Sequence, residues 1–147
     1  TDISNVQTQT QLPGVGFILG NADVRTQGIE LEVSAAPVQG LRVDFNLAYV
    51  DAEFSSYPRA QCYPFQTVAQ GCVAGSQDLT GASLNNSPLI SANLAGDYRA
   101  AIGSGVEAYV RAEASLRDEV LFAVTGDPGT RQQSFVIANF FAGVVFD

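Results

Sequence analysis

Apolar and polar residues alternate along several stretches of this chain with the period of a β-strand. In residues 29–35 every second position is apolar, and the positions between carry Glu or Ser. The alternation pauses at "PVQG" and resumes over residues 41–49. Because successive side chains of a strand point to opposite faces of a sheet, the pattern predicts two antiparallel strands joined by a tight turn.

Further strands are predicted on both sides of this hairpin. Residues 90–99 and 106–117 alternate strictly, "SFVIANFFAGVVF" near the C-terminus is apolar almost throughout, and "ISNVQTQTQ" near the N-terminus is typical of the end of a strand. A helix over residues 106–122 is the alternative, because Glu107 and Arg111 have the spacing of an i,i+4 ion pair and the helix propensity is high. Strand is favoured, since the period of two holds throughout residues 106–117.

The predicted strands sort their side chains into an apolar face and a polar face. The apolar face is predicted to hold Ile29, Leu31, Val33, Ala35, Leu41, Val43, Phe45, Leu47, Tyr49, Ile90, Ala92, Leu94, Gly96, Tyr98, Val106, Ala108, Val110, Ala112, Ala114, Leu116, Val136, Ala138, Phe140, Ala142 and Val144. The polar face is predicted to hold Glu30, Glu32, Ser34, Arg42, Asp44, Asn46, Ala48, Ser91, Asn93, Ala95, Asp97, Arg99, Glu107, Tyr109, Arg111, Glu113, Ser115 and Arg117.

The predicted connections alternate in length. They run long ("LPGVGFILGNAD"), short ("PVQG"), very long (residues 55–86), short ("AAIGSG") and long ("DEVLFAVTGDPGTRQQ"). This order is typical of an antiparallel up-and-down meander with one tight rim and one elaborated rim, as in outer-membrane barrels. Four of the patterned runs are longer than the roughly five or six residues of an average strand, and they approach the roughly nine to eleven that cross a bilayer.

Composition excludes several function classes. The chain has 147 residues, a net charge of −8, seven basic residues that are all Arg, and no His. An acidic chain with scattered arginines repels nucleic acid. Without His or Lys, the usual nucleophilic schemes and His-based zinc sites cannot be built, so we expect no enzyme, no cofactor and no metal site. Glu30 and Glu32 have the spacing of a carboxylate pair, but hydrated acids on the polar face are the favoured interpretation.

Several motifs together resemble one protein family. They are "TQGIELEV", the turn ending in Gly40, "DLTGASLNNSP", "ISANLAGDYR" and "FVIANFFAGVVF", and their order is that of the later barrel strands of TonB-dependent outer-membrane receptors. The family has a "(S/T)QG(V/I)ELE" strand opening and a "DL(S/T)G…L…(S/A)P" stretch that leads the chain back into the membrane. Where members usually carry a basic residue, this chain has Phe141.

The resemblance implies an all-β fold, an antiparallel meander of about six strands that is a partial segment of a large transmembrane β-barrel. Residues 1–147 would then be a single segment of the barrel domain, with the plug domain absent and the remaining strands and plug supplied by the parent protein. It implies location in the outer membrane of a Gram-negative bacterium, contact with outer-membrane lipid, and uptake of a scarce nutrient driven by TonB, ExbB and ExbD. A ferric siderophore is the expected ligand, with cobalamin or an oligosaccharide as further possibilities.

Two other classes remain open on the sequence alone. One is a secreted all-β carbohydrate-binding or adhesion module, because a soluble sandwich also alternates apolar and polar positions. The other is a β-rich structural assembly such as a fibril, because the open edges of an incomplete sheet recruit further strands.

The longest predicted loop carries the candidate site. Cys62 and Cys72 are the only cysteines, and an even pair in an oxidising compartment predicts a disulfide that stiffens an exposed loop. The candidate ligand contacts on this loop are Tyr57, Arg59, Tyr63 and Phe65, since aromatic rings and Arg suit a flat or anionic ligand. The alternative is that these side chains, together with Phe54, pack the loop onto its neighbours.

Overall fold

A computed structural model, describing residues 1–12 and 16–146, contains one six-stranded antiparallel sheet and two small two-stranded sheets. The strands, in chain order, are β1 (Asp2–Leu12), β2 (Gly16–Val38), β3 (Leu41–Ser56), β4 (Ala60–Gln61), β5 (Ser76–Gln77), β6 (Ile90–Gly103), β7 (Val106–Arg117), β8 (Val120–Leu121), β9 (Arg131–Gln132) and β10 (Phe135–Phe146). The large sheet has the order β1-β2-β3-β6-β7-β10, β4 pairs with β5, and β8 pairs with β9. The predicted up-and-down meander is therefore confirmed, and β7 is a strand rather than a helix.

The pairing register confirms the predicted apolar and polar faces. Leu41 and Phe45 of β3 lie opposite Tyr98 and Leu94 of β6, whereas Arg42 lies opposite Asp97. The same alternation crosses from β6 to β7 and from β7 to β10, where Ala112 pairs with Gly96 on one side and Phe140 on the other. Because directly opposed residues share a face, each apolar row continues across the strands, and the polar row continues beside it from β3 to β7. On β10 the polar row is interrupted, because Ile137, Phe141 and Val145 stand on that face.

The two short connections are tight turns. The β2–β3 turn is Gln39-Gly40, and the β6–β7 turn is Ser104-Gly105. Gly40 and Gly105, each the second residue of its turn, have positive φ angles of 84° and 68°, a conformation that favours glycine. At Gly40 the backbone of Arg99 lies so close that a Cβ atom would collide with its carbonyl oxygen, and the Gly40 oxygen accepts a 2.8 Å hydrogen bond from the Arg99 amide.

One predicted connection is wrong. The sequence predicts a long loop at "LPGVGFILGNAD", but the described part of this stretch from Gly16 onward belongs to β2, which pairs with β1 from Asp2↔Arg25 to Leu12↔Gly16. Residues 13–15 of this stretch lie outside the described residues. The glycines of this stretch are the reason that the sequence predicts a loop. Gly20 instead lies within β2, where the Thr8 side chain comes so close that it leaves no room for a Cβ atom.

The chain divides into two compact units. Unit 1 consists of Thr1–Gly28, Val50–Leu89 and Glu119–Gln133, and unit 2 consists of Ile29–Tyr49, Ile90–Asp118 and Ser134–Asp147. Among the residues whose burial is described, every buried side chain belongs to unit 1. Its core contains Ala22, Val24, Phe54, Tyr57 and Ala60.

Unit 2 is built differently. Its apolar face is exposed, with Leu94 at 50%, Phe140 at 70% and Val144 at 50% of full exposure. A water-soluble sheet buries one apolar face, whereas this face has no covering layer in the described residues. In the same described part, no helix is long and apolar enough to cross a membrane.

Candidate functional site

The candidate residues lie in the connection between β3 and β6, which we call the long loop (residues 57–89). The structure joins Cys62 to Cys72 by a disulfide with a Cα–Cα distance of 5.8 Å, which confirms the predicted bridge. Inside the ring that it closes, Thr67 is the N-cap of a short 3₁₀ turn at Val68–Gln70, and the Cys72 amide donates a 3.2 Å hydrogen bond to the Thr67 oxygen. The disulfide and the backbone hydrogen bonds together restrict the conformations of this segment.

Gln77 connects the long loop to a second one, residues 119–133. Its side chain is buried, and its Nε2 atom donates 2.8 Å hydrogen bonds to the carbonyl oxygens of Gln61 and Thr125. Its Oε1 atom accepts a 2.8 Å hydrogen bond from Nε2 of Gln66. The side-chain amide of Gln77 therefore bonds to three residues: Gln61 and Gln66 on the long loop, and Thr125 on the second loop.

The "DLTG" stretch of the long loop docks onto the end of β3. Leu79 packs against the unit 1 core, and an isolated bridge pairs Ser83 with Glu53. The backbone hydrogen bonds of the docked segment are Leu79 N–H to Tyr57 O (3.0 Å), Gly81 N–H to Phe54 O (2.7 Å), Phe54 N–H to Ala82 O (2.9 Å) and Leu84 N–H to Ala52 O (2.9 Å). Residues 41–49 of β3 pair with β6, whereas the end of β3 pairs with the docked segment.

Asp78 and Thr80 form the turn that starts this docked segment. The Thr80 amide donates a 2.9 Å hydrogen bond to Oδ1 of Asp78, while Oγ1 of Thr80 accepts a 2.9 Å bond from the Tyr57 amide. Hydrogen bonds from the Thr80 side chain, and then from its backbone, hold the pKa of the exposed Asp78 carboxyl below its ordinary value.

The four candidate ligand contacts have different surroundings. Tyr57 is 3% exposed, packs against the Phe54 ring at a centroid distance of 5.0 Å, and shares a 2.7 Å hydrogen bond with the hydroxyl group of Thr8. Its ring therefore packs the loop, as in the alternative interpretation, and is not presented to solvent. Tyr63 is half-buried, whereas Arg59 and Phe65 are exposed.

Phe65 is the most exposed of these side chains, at 100% of full exposure. It is the third residue of a β-turn in which the Gln66 amide donates a 3.2 Å hydrogen bond to the Tyr63 oxygen. Pro64 precedes it, and Phe65 itself has a φ of 64°. This is the position of a type II turn where Gly or Asn is the usual residue, so a phenylalanine there is strained.

Sequence reasoning missed the residues of the second loop and the role of Gln77. The only local signal for Gln77 is its place beside the "DLTG" stretch, and its partner Thr125 lies 48 positions away. Phe122 of the second loop, which is 52% exposed, has no signal in the local sequence pattern. Within the described ranges 1–12 and 16–146, no group of three or more His, Cys, Asp or Glu residues is arranged to hold a metal ion.

The polar face of unit 2 is lined by ion pairs. Arg99 contacts Asp97 at 2.9 Å and Glu107 at 3.5 Å, and its guanidinium carbon lies 5.7 Å from the centre of the Tyr109 ring. Further pairs are Arg42–Asp44 at 2.9 Å and Arg111–Glu113 at 3.2 Å. Glu30 and Glu32 are both exposed on β2. This face is thus hydrophilic, with most of its arginines paired to acids.

Comparison with known proteins gives one family match. A family model described as "TonB dependent receptor-like, beta-barrel" matches residues 1–146. A search of curated proteins finds no match for the chain.

Proposed function

Because the chain belongs to the TonB-dependent receptor-like β-barrel family, as the motifs predicted, we propose that residues 1–147 form one segment of the barrel wall of a nutrient importer. The family consists of outer-membrane receptors and transporters. The further elements of the proposal are a plug and additional strands supplied by the parent protein, energy from TonB, ExbB and ExbD, and a ferric siderophore as the leading ligand, with cobalamin or an oligosaccharide as alternatives.

The observation that carries the proposal is the exposed apolar face of unit 2. Leu94, Val110 and Phe140 are 50%, 42% and 70% exposed, and the register aligns their rows across neighbouring strands. Leaving such a surface in water is unfavourable by about 25 cal/mol per Å² of apolar area. In a bilayer the same surface contacts lipid, and the ion-paired polar face on the other side suits a water-filled interior.

The proposed role of the wall is mechanical and does not involve bond making or breaking. Antiparallel pairing satisfies the backbone within the membrane, where each unpaired N–H or C=O group would cost several kcal/mol. The long loop follows β3 along the chain, and the second loop lies between β7 and β10. We propose that Arg59, Tyr63 and Phe65 of the long loop contact the ligand, and that Tyr57 holds the loop in place from the core.

Spin labels test the membrane assignment directly. Labels at Leu41, Phe45 and Val110 on the apolar face should be relaxed more strongly by oxygen than by an aqueous nickel chelate in reconstituted liposomes. Labels at Asn46 and Arg111 on the polar face are the matched controls and should show the opposite order. Stronger relaxation by the nickel chelate at the three apolar sites would rule out the barrel wall and favour a soluble all-β module.

A further inference from the structure

We propose that Phe65 is a preformed recognition residue, and that its ring stacks on an uncharged ring face of the ligand, either an aromatic ring or a sugar ring. The inference rests on the proposed function, because it assigns a contact within the ligand-binding loop. It goes further in naming one residue, one contact mode and one feature of the ligand.

The first argument is that the Phe65 conformation brings no packing benefit to this chain. The side chain is fully exposed, so it buries no apolar area in the described structure, yet its backbone has a φ of 64°. For residues other than Gly, Asn or Asp this backbone conformation is unfavourable. Gly would adopt this turn conformation without strain, and the exposed Phe65 ring adds no buried apolar area to compensate. Phe65 is therefore a worse residue than Gly for the stability of this turn.

The second argument is that the surroundings fix this conformation. The Gln66 side chain accepts a 3.1 Å hydrogen bond from the Tyr63 amide, so Gln66 closes the turn with both its backbone and its side chain. Nε2 of Gln66 in turn donates to the Gln70 oxygen at 3.0 Å and to Gln77 at 2.8 Å. Strained residues persist where neighbours determine them in this way, and they cluster at binding sites.

The third argument concerns the chemistry of the loop. Residues 60–77 contain no charged side chain, although the chain as a whole carries a net charge of −8. Val68 and Val73 of the same segment are 75% and 64% exposed. The side-chain amides of Gln66 and Gln77 are already used within the loop. An uncharged tip with exposed apolar side chains therefore recognises a ring face by stacking and exclusion of water, and any charged part of the ligand is left to Arg59 outside the segment.

Binding by the purified protein in detergent micelles tests the assignment, with two probes that present the two kinds of ring. Maltohexaose offers sugar rings, and gallium tris-catecholate offers aromatic rings whose charge lies on the metal-bound oxygens. Phe65→Ala should weaken the affinity for the probe that binds at least about tenfold. Phe65→Trp, which keeps a ring, and Ile102→Ala, which removes a 62% exposed apolar side chain outside the two loops, should each stay within about threefold of wild type.

A stability measurement separates recognition from a structural role. Phe65→Gly should leave the urea midpoint of unfolding unchanged or raise it, because Gly relieves the strain. Binding of maltohexaose alone would assign a sugar ring, and binding of gallium tris-catecholate alone an aromatic one. The proposal is overturned by a lowered midpoint for Phe65→Gly, by an affinity of Phe65→Ala within about threefold of wild type, or by failure of both probes to bind. None of these results affects the spin-label test of the barrel wall, so the two proposals fail separately.

Discussion

The hydroxyl groups of Thr8 and Tyr57 lie 2.7 Å apart and share a hydrogen bond, although 49 positions separate the two residues. Thr8 and Tyr57 are 8% and 3% exposed, so the bond lies in the core of unit 1. It joins β1 to the first residue of the long loop. The loop that carries the proposed ligand contacts is therefore anchored at its base by a polar contact in an apolar surrounding.

Replacing Tyr57 by Phe tests this anchor. The variant keeps the ring and leaves the buried Thr8 hydroxyl without its partner, which should lower the free energy of unfolding by about 1–2 kcal/mol. Tyr63→Phe is the matched control, because Tyr63 is half-buried and its hydroxyl has no hydrogen-bond partner among the described residues. Urea unfolding of both variants gives the comparison, and equal midpoints would contradict the anchoring role.

Gly20 should tolerate no side chain. A Cβ atom at this position would lie 2.8 Å from Oγ1 of Thr8 and 3.0 Å from the Tyr57 hydroxyl oxygen. We expect Gly20→Ala to push these groups apart and to destabilise the protein by about 1–3 kcal/mol. At Gly96 a Cβ atom would meet nothing within 4 Å. Gly96→Ala should accordingly be neutral or stabilising. Thermal unfolding of the two variants measures the difference, and equal melting temperatures would contradict the prediction.

The comparison of Gly20 with Gly40 explains what the sequence could predict. Gly40 follows "PVQ" between two alternating runs, so its turn is visible in the local pattern. Gly20 has no such context, because the reason for a glycine there is the approach of Thr8 and Tyr57 from distant parts of the chain. For this reason the local pattern predicts a loop where the structure has a strand.

The same distinction applies to the candidate site. The Cys62–Cys72 bridge and the strand faces follow from spacing and period, which are local, and both predictions are confirmed. The burial of Tyr57 depends on docking of the "DLTG" stretch, and the role of Gln77 depends on Thr125 in another loop. Such contacts have no period, so the sequence alone does not separate core aromatics from exposed ones.

Gln77 should couple the two loops. In Gln77→Glu the side chain keeps its shape but cannot donate, so the oxygens of Gln61 and Thr125 lose their hydrogen bonds. We expect a loss of about 1–3 kcal/mol and faster amide hydrogen exchange in both loops, while the β6–β7 pairing of unit 2 remains protected.

Gln70→Glu is the matched control for this variant. Gln70 is exposed on the same loop, and its Oε1 atom accepts hydrogen bonds from the Thr67 amide and hydroxyl, which a carboxylate oxygen accepts equally well. The control therefore introduces the same charge without removing a donor that the loops use. Exchange that rises only in the long loop of Gln77→Glu would show that Gln77 does not tie the second loop.

Asp78 should make stability depend on acidic pH. Thr80 lowers the pKa of this carboxyl, so its stabilising contribution is present above the ordinary aspartate value of about 3.9 and is lost as pH falls through the lowered pKa. Asp78→Asn keeps an acceptor for Thr80 but removes the charge. Its stability deficit relative to wild type should therefore be constant near neutral pH and shrink in acid. Unfolding curves between about pH 7 and pH 2 measure this, and a deficit that stays constant throughout would contradict the linkage.

The Cys62–Cys72 bridge should stabilise the long loop locally. It closes a sequence separation of 10, for which loop-entropy reasoning gives roughly 2–3 kcal/mol. In the double variant Cys62→Ser and Cys72→Ser, the entropy of residues 60–77 rises, and the hydrogen bonds that fix the Phe65 turn open more often. Hydrogen exchange should consequently accelerate at Gln66 and at position 72 but remain unchanged at Val110 and Ala112 in β7. Equal acceleration in β7 would mean that the bridge supports the sheet as well, because unit 2 would then lose protection together with the loop.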